Sequence, residues 1–134
     1  MLKKLKSSLL LVCLLSLITG SVNQNQQVQN TKEISVVATS ISVTEILDQL
    51  GVSKNQVIGI PQSDSYTVPK KYQKATKVGN AMSPDMEKIS NLNPDLILSP
   101  NSLESDLSSK YEKIKISSSF LNLKNLSGMY KSIE

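Results

Sequence analysis

Apolar and polar positions change their spacing several times along the chain after residue 33. The β-branched run at 34–38 predicts a buried strand. Apolar residues then recur at the spacing of one helix face, between capping residues and a glycine, which predicts a helix with both ends marked. The helical positions are Val43, Ile46, Leu47 and Leu50, between the capping segment 39–42 and Gly51.

The same alternation continues through the rest of the chain. Further strands are predicted at 56–60, 96–98 and 114–116. Further helices are predicted at about 84–91 and at 126–133, and another helix has Leu103, Leu107 and Tyr111 on one face. The segment 63–77 is predicted as a long polar connection. Strands that alternate with helices at short intervals predict an α/β fold, a three-layer Rossmann-like arrangement whose parallel sheet is built from right-handed βαβ units. The last helical pattern still runs at Glu134, so we expect the chain to be the front part of a longer fold.

The first 21 residues have the pattern of a signal peptide for export. Basic residues precede an apolar run at 9–18, and small residues follow at 19–21. This run is shorter than the ~20 residues that a membrane-spanning helix needs. We therefore expect cleavage near Ser21, with a retained membrane anchor as the alternative.

A polar spacer is predicted at 22–32, because this Gln- and Asn-rich tract buries too little surface to fold. The folded lobe is predicted at 33–134. Ser21 stands where a lipobox would carry cysteine, and the only cysteine, Cys13, lies inside the apolar run. A lipid anchor is therefore not expected, and the exported domain has no cysteine for a disulfide.

Composition narrows the classes of function. The chain has no histidine, every basic residue is lysine, and aromatic residues make up only 4%. The net charge of +4 includes Lys3, Lys4 and Lys6 of the export signal, so the remaining chain is near neutral. These features disfavour nucleic acid as a partner. The chain also has no Gly-rich phosphate loop, Cys–His pair or metal-ligand cluster, so an enzyme is not predicted.

Met82 carries the most specific candidate chemistry. It follows Gly79, which permits a sharp turn, and directly precedes Ser83 and Pro84, which predict a helix start. A thioether at that position can point off the end of the helix, and such a soft ligand suits haem iron. The alternative is that Met82 fills a gap at the edge of the core.

Three predicted loops lie at, or lead into, strand-to-helix junctions, namely 39–40, 63–67 and 80–83. In parallel sheets, ligands bind outside the carboxyl ends of the strands, beside helix N-termini. The free N–H groups and the helix dipole there favour an anionic group such as a carboxylate. The alternative is helix capping without a ligand.

A set of short stretches along the chain carries a resemblance to a known family. These stretches are 37–40, 44–48, 57–61, 68–72, 78–84, 93–99 and 126–133. Their order resembles the N-terminal lobe of class III periplasmic-type substrate-binding proteins, the receptors of ABC importers for haem, siderophores and cobalamin. Within that class it resembles most closely the haem-receptor lipoproteins of Isd-type systems. The resemblance covers about 33–134, and the 93–99 strand is shared by the wider class.

The resemblance implies a haem-binding protein at the extracytoplasmic face of the membrane, with the importer permease and surface haem-binding proteins as partners. It implies Met82 as an axial ligand of haem iron. Thr39 and Ser40 would lie near the haem edge or its propionates, and Ser65, Tyr66 and Thr67 at the same rim. The family has a second lobe that carries a histidine ligand, and we do not expect this lobe within residues 1–134. The alternatives are a siderophore- or cobalamin-binding protein of the same fold, and a truncated lobe without a ligand.

Overall fold

The computed structural model of the protein describes residues 32–123, which form a five-stranded sheet with helices. All strands run parallel in the order β3-β2-β1-β4-β5. The strands are β1 (Val36–Ala38), β2 (Val57–Ile60), β3 (Thr76–Lys77), β4 (Leu96–Pro100) and β5 (Ser118–Leu121). The α-helices are α1 (Ile41–Gln49), α2 (Met86–Leu92) and α3 (Glu104–Lys113), with 3₁₀ turns at Lys70–Tyr72 and Asn101–Leu103. The predicted parallel α/β fold is confirmed.

Helix α1 begins and ends where the sequence signals lie. Ser40 is the N-cap, and its Oγ accepts the N–H of Val43 at 3.3 Å. Gly51 follows the helix with φ +74°, a conformation that glycine adopts without strain. The residues that α1 buries are Val43, Thr44, Ile46 and Leu47.

Apolar residues pack on both faces of the sheet because side chains alternate along each strand. Val36 and Ala38 of β1 join one buried cluster with helix α1, whereas Val37 joins a second cluster with α2 and α3. Side chains buried in the second cluster are Val37, Val78, Ile89, Ile97, Leu107 and Tyr111. Burial on both faces explains why the central strands read as short continuous apolar runs.

The strand predicted at 114–116 is wrong. Lys115 has φ +58° and donates its N–H to the carbonyl of Glu112 at 3.0 Å, so this segment turns after α3. Ile114 and Ile116 pack against the second cluster, which explains their apolar character. The strand lies instead at Ser118–Leu121, where two serines weaken the sequence signal.

Two other segments also differ from the predictions. The 63–77 stretch is not wholly irregular, since it contains the turn Lys70–Tyr72 and the two-residue edge strand β3. Helix α2 begins at Met86, with Asp85 rather than Ser83 as the N-cap, because Pro84 pairs with Gly79 in an isolated bridge.

The helix predicted at 126–133 lies outside the described residues. Within 32–123, none of the helices combines the length and apolarity required to cross a membrane.

Candidate functional site

The strand order identifies the carboxyl edge of the sheet as the place for a ligand. The chain passes from β1 to β2 and β3 on one side, then crosses to β4 on the other. Open parallel sheets bind ligands outside the carboxyl ends of their strands, at such a reversal. Thr39 follows β1 at this point, and the loops after β2 and β3 lie along the same edge.

Thr39 and Ser40 are buried rather than presented to solvent. Thr39 is 1% exposed and donates through Oγ1 to the carbonyl of Leu98 at 3.2 Å. Its Oγ1 also lies 2.7 Å from Ser99 Oγ, which in turn lies 2.9 Å from the Tyr111 hydroxyl. Since the Thr39 proton serves Leu98, the chain of donors runs from Tyr111 through Ser99 to Thr39. Ser40 is 8% exposed and caps α1.

This hydroxyl chain ties together three elements beneath the edge. Burial raises the pKa of the Tyr111 phenol. Tyr111 therefore stays protonated and can donate. Ser99 and Tyr111 were not predicted as site residues, because an isolated serine and a helical tyrosine carry no signal of their pairing across 12 positions.

Met82 lies on a short loop that is closed at both ends. Asp85 donates its N–H to the carbonyl of Val78 at 2.7 Å, and Gly79 pairs with Pro84 across the base. Gly79 has φ +91°, and a Cβ there would lie 3.0 Å from the Ser83 carbonyl oxygen. Glycine is thus required both by the backbone conformation and by the close approach of the chain.

Asn80 shapes the inside of this loop. Its Oδ1 accepts the N–H groups of Met82 at 3.0 Å and Ser83 at 2.9 Å. This is an Asx turn, in which a side chain takes the place of a backbone acceptor. Asn80 is a residue of the predicted 80–83 loop whose positioning role the sequence did not reveal.

The Met82 side chain is 76% exposed at the tip of the loop. Met86, four residues later, instead packs against the second buried cluster. Met82 therefore does not fill a gap in the described core, and its thioether is free to contact a ligand. A sulfur donor of this kind suits a soft or borderline metal centre such as haem iron.

The 63–67 loop presents aromatic and hydroxyl groups on the neighbouring part of the edge. Ser63 Oγ accepts the N–H groups of Ser65 at 3.3 Å and Tyr66 at 3.1 Å. Tyr66, which is 71% exposed, and Thr67 line a depression of about 300 Å³ together with Lys77. Ser65 belongs to the turn, but it is not among the residues that line this depression.

A second depression of about 410 Å³ lies beside the Met82 loop. Ser63 lines both depressions, so the two loops border one continuous stretch of surface. The charged residues that line the 410 Å³ depression are Asp64, Asp85 and Lys88. The hydrogen bond from the N–H of Lys88 lowers the pKa of Asp85, which keeps this N-cap carboxylate ionised.

These groups fit part of a haem site. Met82 offers a sulfur donor, and Lys77 and Lys88 offer ammonium groups that pair with carboxylates. Histidine, a common axial ligand of haem iron, is not among them, since the sequence contains none. Residues 32–123 also hold no cluster of three or more acidic, Cys or His side chains that is arranged for a metal ion.

Comparison with known proteins identifies the family. A model described as "Periplasmic binding protein" matches residues 36–127. The high-affinity heme uptake system protein IsdE of Staphylococcus aureus is 25% identical over 126 residues, which are 94% of this chain and 42% of that protein. The chain thus spans less than half the length of this relative. Relatives of this kind are substrate-binding proteins of ABC importers, in line with the non-enzymatic prediction.

Solved structures of substrate-binding proteins also match this chain. An ABC transporter substrate-binding protein of Listeria monocytogenes matches with 38% identity and a TM-score of 0.71, over 76% of this chain and 38% of that one. IsdE of S. aureus complexed with heme matches with 29% identity and a TM-score of 0.68, over 75% and 38%. FhuD of Vibrio cholerae, bound to Fe3+-Desferal, matches with 26% identity and a TM-score of 0.54, over 66% and 33%. The chain belongs to the periplasmic binding protein family, as a partial lobe of the class III type that resembles IsdE.

Proposed function

We propose that this chain forms the N-terminal lobe of an extracytoplasmic substrate-binding protein that captures haem for an ABC importer. Capture and delivery to a permease require no bond making or breaking in the ligand. Within this proposal residues 1–21 are the export signal, 22–32 the spacer and 33–134 the lobe. The protein works at the outer face of the cytoplasmic membrane, and surface haem-binding proteins pass haem to it.

The observation that carries the proposal is the exposed thioether of Met82 on a rigid loop at the ligand edge. The loop is fixed by Gly79, Asn80 and Asp85, so little conformational freedom is lost when Met82 binds a metal. Apolar and polar groups of the 63–67 loop lie beside it, and Tyr66 supplies an exposed aromatic face for a flat ligand. The relative that was solved with heme supports the same ligand.

Thr39 and Ser40 contribute indirectly in this proposal. They fix the first turn of α1 at the edge, and its free N–H groups favour a carboxylate such as a haem propionate. Lys77 and Lys88 are additional partners for carboxylates at the rim. We expect the other face of the ligand to be covered by a second surface, as is usual for ligands of this size.

A ferric siderophore is the second candidate ligand. The match to a siderophore-binding protein that holds Fe3+-Desferal favours it. The open depression beside Tyr66 and Thr67, with Lys77 at its border, suits a polar, anionic iron complex as well as a haem edge. In that case Met82 contacts the ligand without coordinating iron, because ferric siderophores are held through oxygen donors.

Titration of the full chain with haem, followed by Soret absorbance, tests the proposal. We expect a saturable shift of the Soret band. The apparent affinity for haem should fall at least about tenfold in Met82→Leu, because loss even of a group that only orients a metal ligand lowers metal affinity by about that factor. Leucine keeps the apolar bulk of Met82 and removes only the sulfur. Both proteins carry the same apolar N-terminal run, so haem that partitions into it affects them equally.

The alternatives give different results in the same series. An identical shift in the Met82→Leu variant would exclude ligation by this residue. Quenching of tyrosine fluorescence by a ferric siderophore, without a haem response, would support the siderophore. Cooperative unfolding without binding of either compound would indicate a lobe that does not bind a ligand alone.

A further inference from the structure

A third depression with distinct chemistry lies at the opposite, amino edge of the sheet. It has a volume of about 430 Å³ and is lined at the starts of β2 and β3. We call it the lysine depression, after its charged lining residues Lys54, Lys71 and Lys74. Its lining contains no acidic residue.

Charge is unevenly distributed around this depression. Residues 32–123 contain equal numbers of lysines and acidic residues, but the segment 54–77 contains a single acid, Asp64. Asp64 lines the carboxyl-edge depression instead. The lysines of this segment are Lys54, Lys70, Lys71, Lys74 and Lys77.

Carboxylates near the amino edge neutralise only one of the three lysines of the depression. Asp48 pairs with Lys71 at 2.8 Å, and Asp95 pairs with Lys32 at 3.1 Å. Lys54 and Lys74 are exposed and form no ion pair within the described part of the chain. Two positive charges are therefore in excess in this depression.

The same edge receives the chain from its N-terminal segment. Lys32 binds Asp95 just before β4, and Ser35, just before β1, donates its N–H to the same carboxylate at 2.8 Å. The N–H of Val36 bonds to the carbonyl of Gln56, which places the Lys54–Gln56 turn beside the entry point. The described chain thus enters the lobe at the amino edge, and the predicted export signal precedes it in the sequence.

We propose that the lysine depression docks on anionic phospholipid headgroups of the membrane from which the chain emerges. Lysine ammonium groups bind phosphate as compact point charges, and lysines near an anionic leaflet are attracted within a Debye length. Docking through the amino edge leaves the carboxyl edge, with Met82, open to receive a ligand. This inference uses the predicted export of the chain but not the identity of the ligand.

Acetylation footprinting of the full chain on vesicles tests this surface. We expect Lys54 and Lys74 to be protected on vesicles of phosphatidylglycerol and phosphatidylcholine, relative to vesicles of phosphatidylcholine alone. Lys77 and Lys88, at the carboxyl edge, are internal controls that should react equally on both. Equal reactivity of Lys54 and Lys74 on the two kinds of vesicle would overturn the proposal, even for a chain anchored by its N-terminus.

A matched pair of variants gives the energetic test. Lys54→Gln with Lys74→Gln should weaken partitioning onto the anionic vesicles about tenfold or more, since each lysine contributes severalfold at such a surface. Lys77→Gln with Lys88→Gln removes the same charge at the other edge and should have a much smaller effect. Equal losses would contradict docking through the depression. Protection of Lys54 and Lys74 by inorganic phosphate in place of vesicles would also overturn it, in favour of a free-anion site.

Discussion

Strands β1 and β4, the central pair, and strands β2 and β3, the flanking pair, end at the same edge of the sheet, but the groups at their ends differ. The hydroxyl chain of Tyr111, Ser99 and Thr39 closes the central pair with buried, mutually bonded groups. The flanking pair ends in loops that expose Tyr66 and Met82. The centre of the sheet thus supplies a rigid base, while its flank presents the side chains that can contact a ligand.

The comparison predicts that stability and binding reside in different residues. Replacement in the central pair should cost folding free energy, whereas replacement at the tips of the flanking loops should cost ligand affinity. Each variant below compares the two regions, in order of decreasing effect on stability.

Tyr111→Ala should have the largest effect. Its ring is fully buried, stacks on Phe120 with ring centroids 5.9 Å apart, and its hydroxyl bonds to Ser99. Removal of such a buried aromatic ring costs about 3–5 kcal/mol of unfolding free energy. Urea unfolding followed by circular dichroism measures this loss. Tyr66→Ala, at an exposed ring, should change stability by less than about 0.5 kcal/mol, and equal losses in the two variants would refute the division.

Gly79→Ala should have the next largest effect, because it strains the base of the Met82 loop. Its φ of +91° disfavours a side chain, and the added Cβ would meet the Ser83 carbonyl oxygen at 3.0 Å. We expect a loss of about 1–3 kcal/mol in unfolding free energy, with weaker haem binding. Gly51→Ala is the matched control, since Gly51 has φ +74° but a Cβ added there would meet no atom within 4 Å. A loss no greater than that of Gly51→Ala would rule out the crowding.

The central strands and α1 were predictable because local signals agree there with the tertiary environment. Strand β1 is a continuous apolar run because both of its faces are buried, and Ser40 caps α1 where the sequence indicates. Strand β5 was missed because its serines have low strand propensity, while Ile114 and Ile116 alternate as in a strand. Their apolar character serves packing after a turn instead.

In the candidate site, too, the sequence revealed local features but not bonds between residues that are distant in the chain. Met82 could be singled out because it stands between Gly79 and a predicted helix start, where a thioether can reach a ligand. The bonding of Thr39 to Ser99, 60 positions later, depends on the pairing of β1 with β4 and leaves no mark on either segment. Met82, the residue proposed to contact a ligand, was therefore easier to identify than the bonded hydroxyl groups of the central pair.

Asn80→Ala should have a modest effect on stability and a larger one on binding. It removes the acceptor for the N–H groups of Met82 and Ser83 in an exposed loop, which costs about 0.5–1.5 kcal/mol. The freed loop should lower haem affinity although the thioether remains. Thermal unfolding and Soret titration separate the two effects. Asn80→Asp keeps an oxygen acceptor and should retain much of the haem affinity. Equal haem affinities of Asn80→Ala and Asn80→Asp would contradict the positioning role of Asn80.

Asp95→Asn, at the amino end of the central pair, should cause the smallest loss of stability, and this loss should depend on pH. Asp95 accepts the N–H and Oγ–H groups of Ser35, each at 2.8 Å, and these bonds with Lys32 lower its pKa from 3.8 to about 2. Since the folded-state pKa lies below the unfolded one, the stabilisation is complete above pH 3.8 and disappears as the pH falls through about 2. Asp95→Asn should therefore lower the melting temperature slightly at neutral pH, and the difference from the parent should shrink across that window. Glu45→Gln, at an exposed position of α1, controls for the loss of one negative charge. A difference that stays constant down to pH 2 would show that Asp95 acts through its shape and not through its ionised carboxylate.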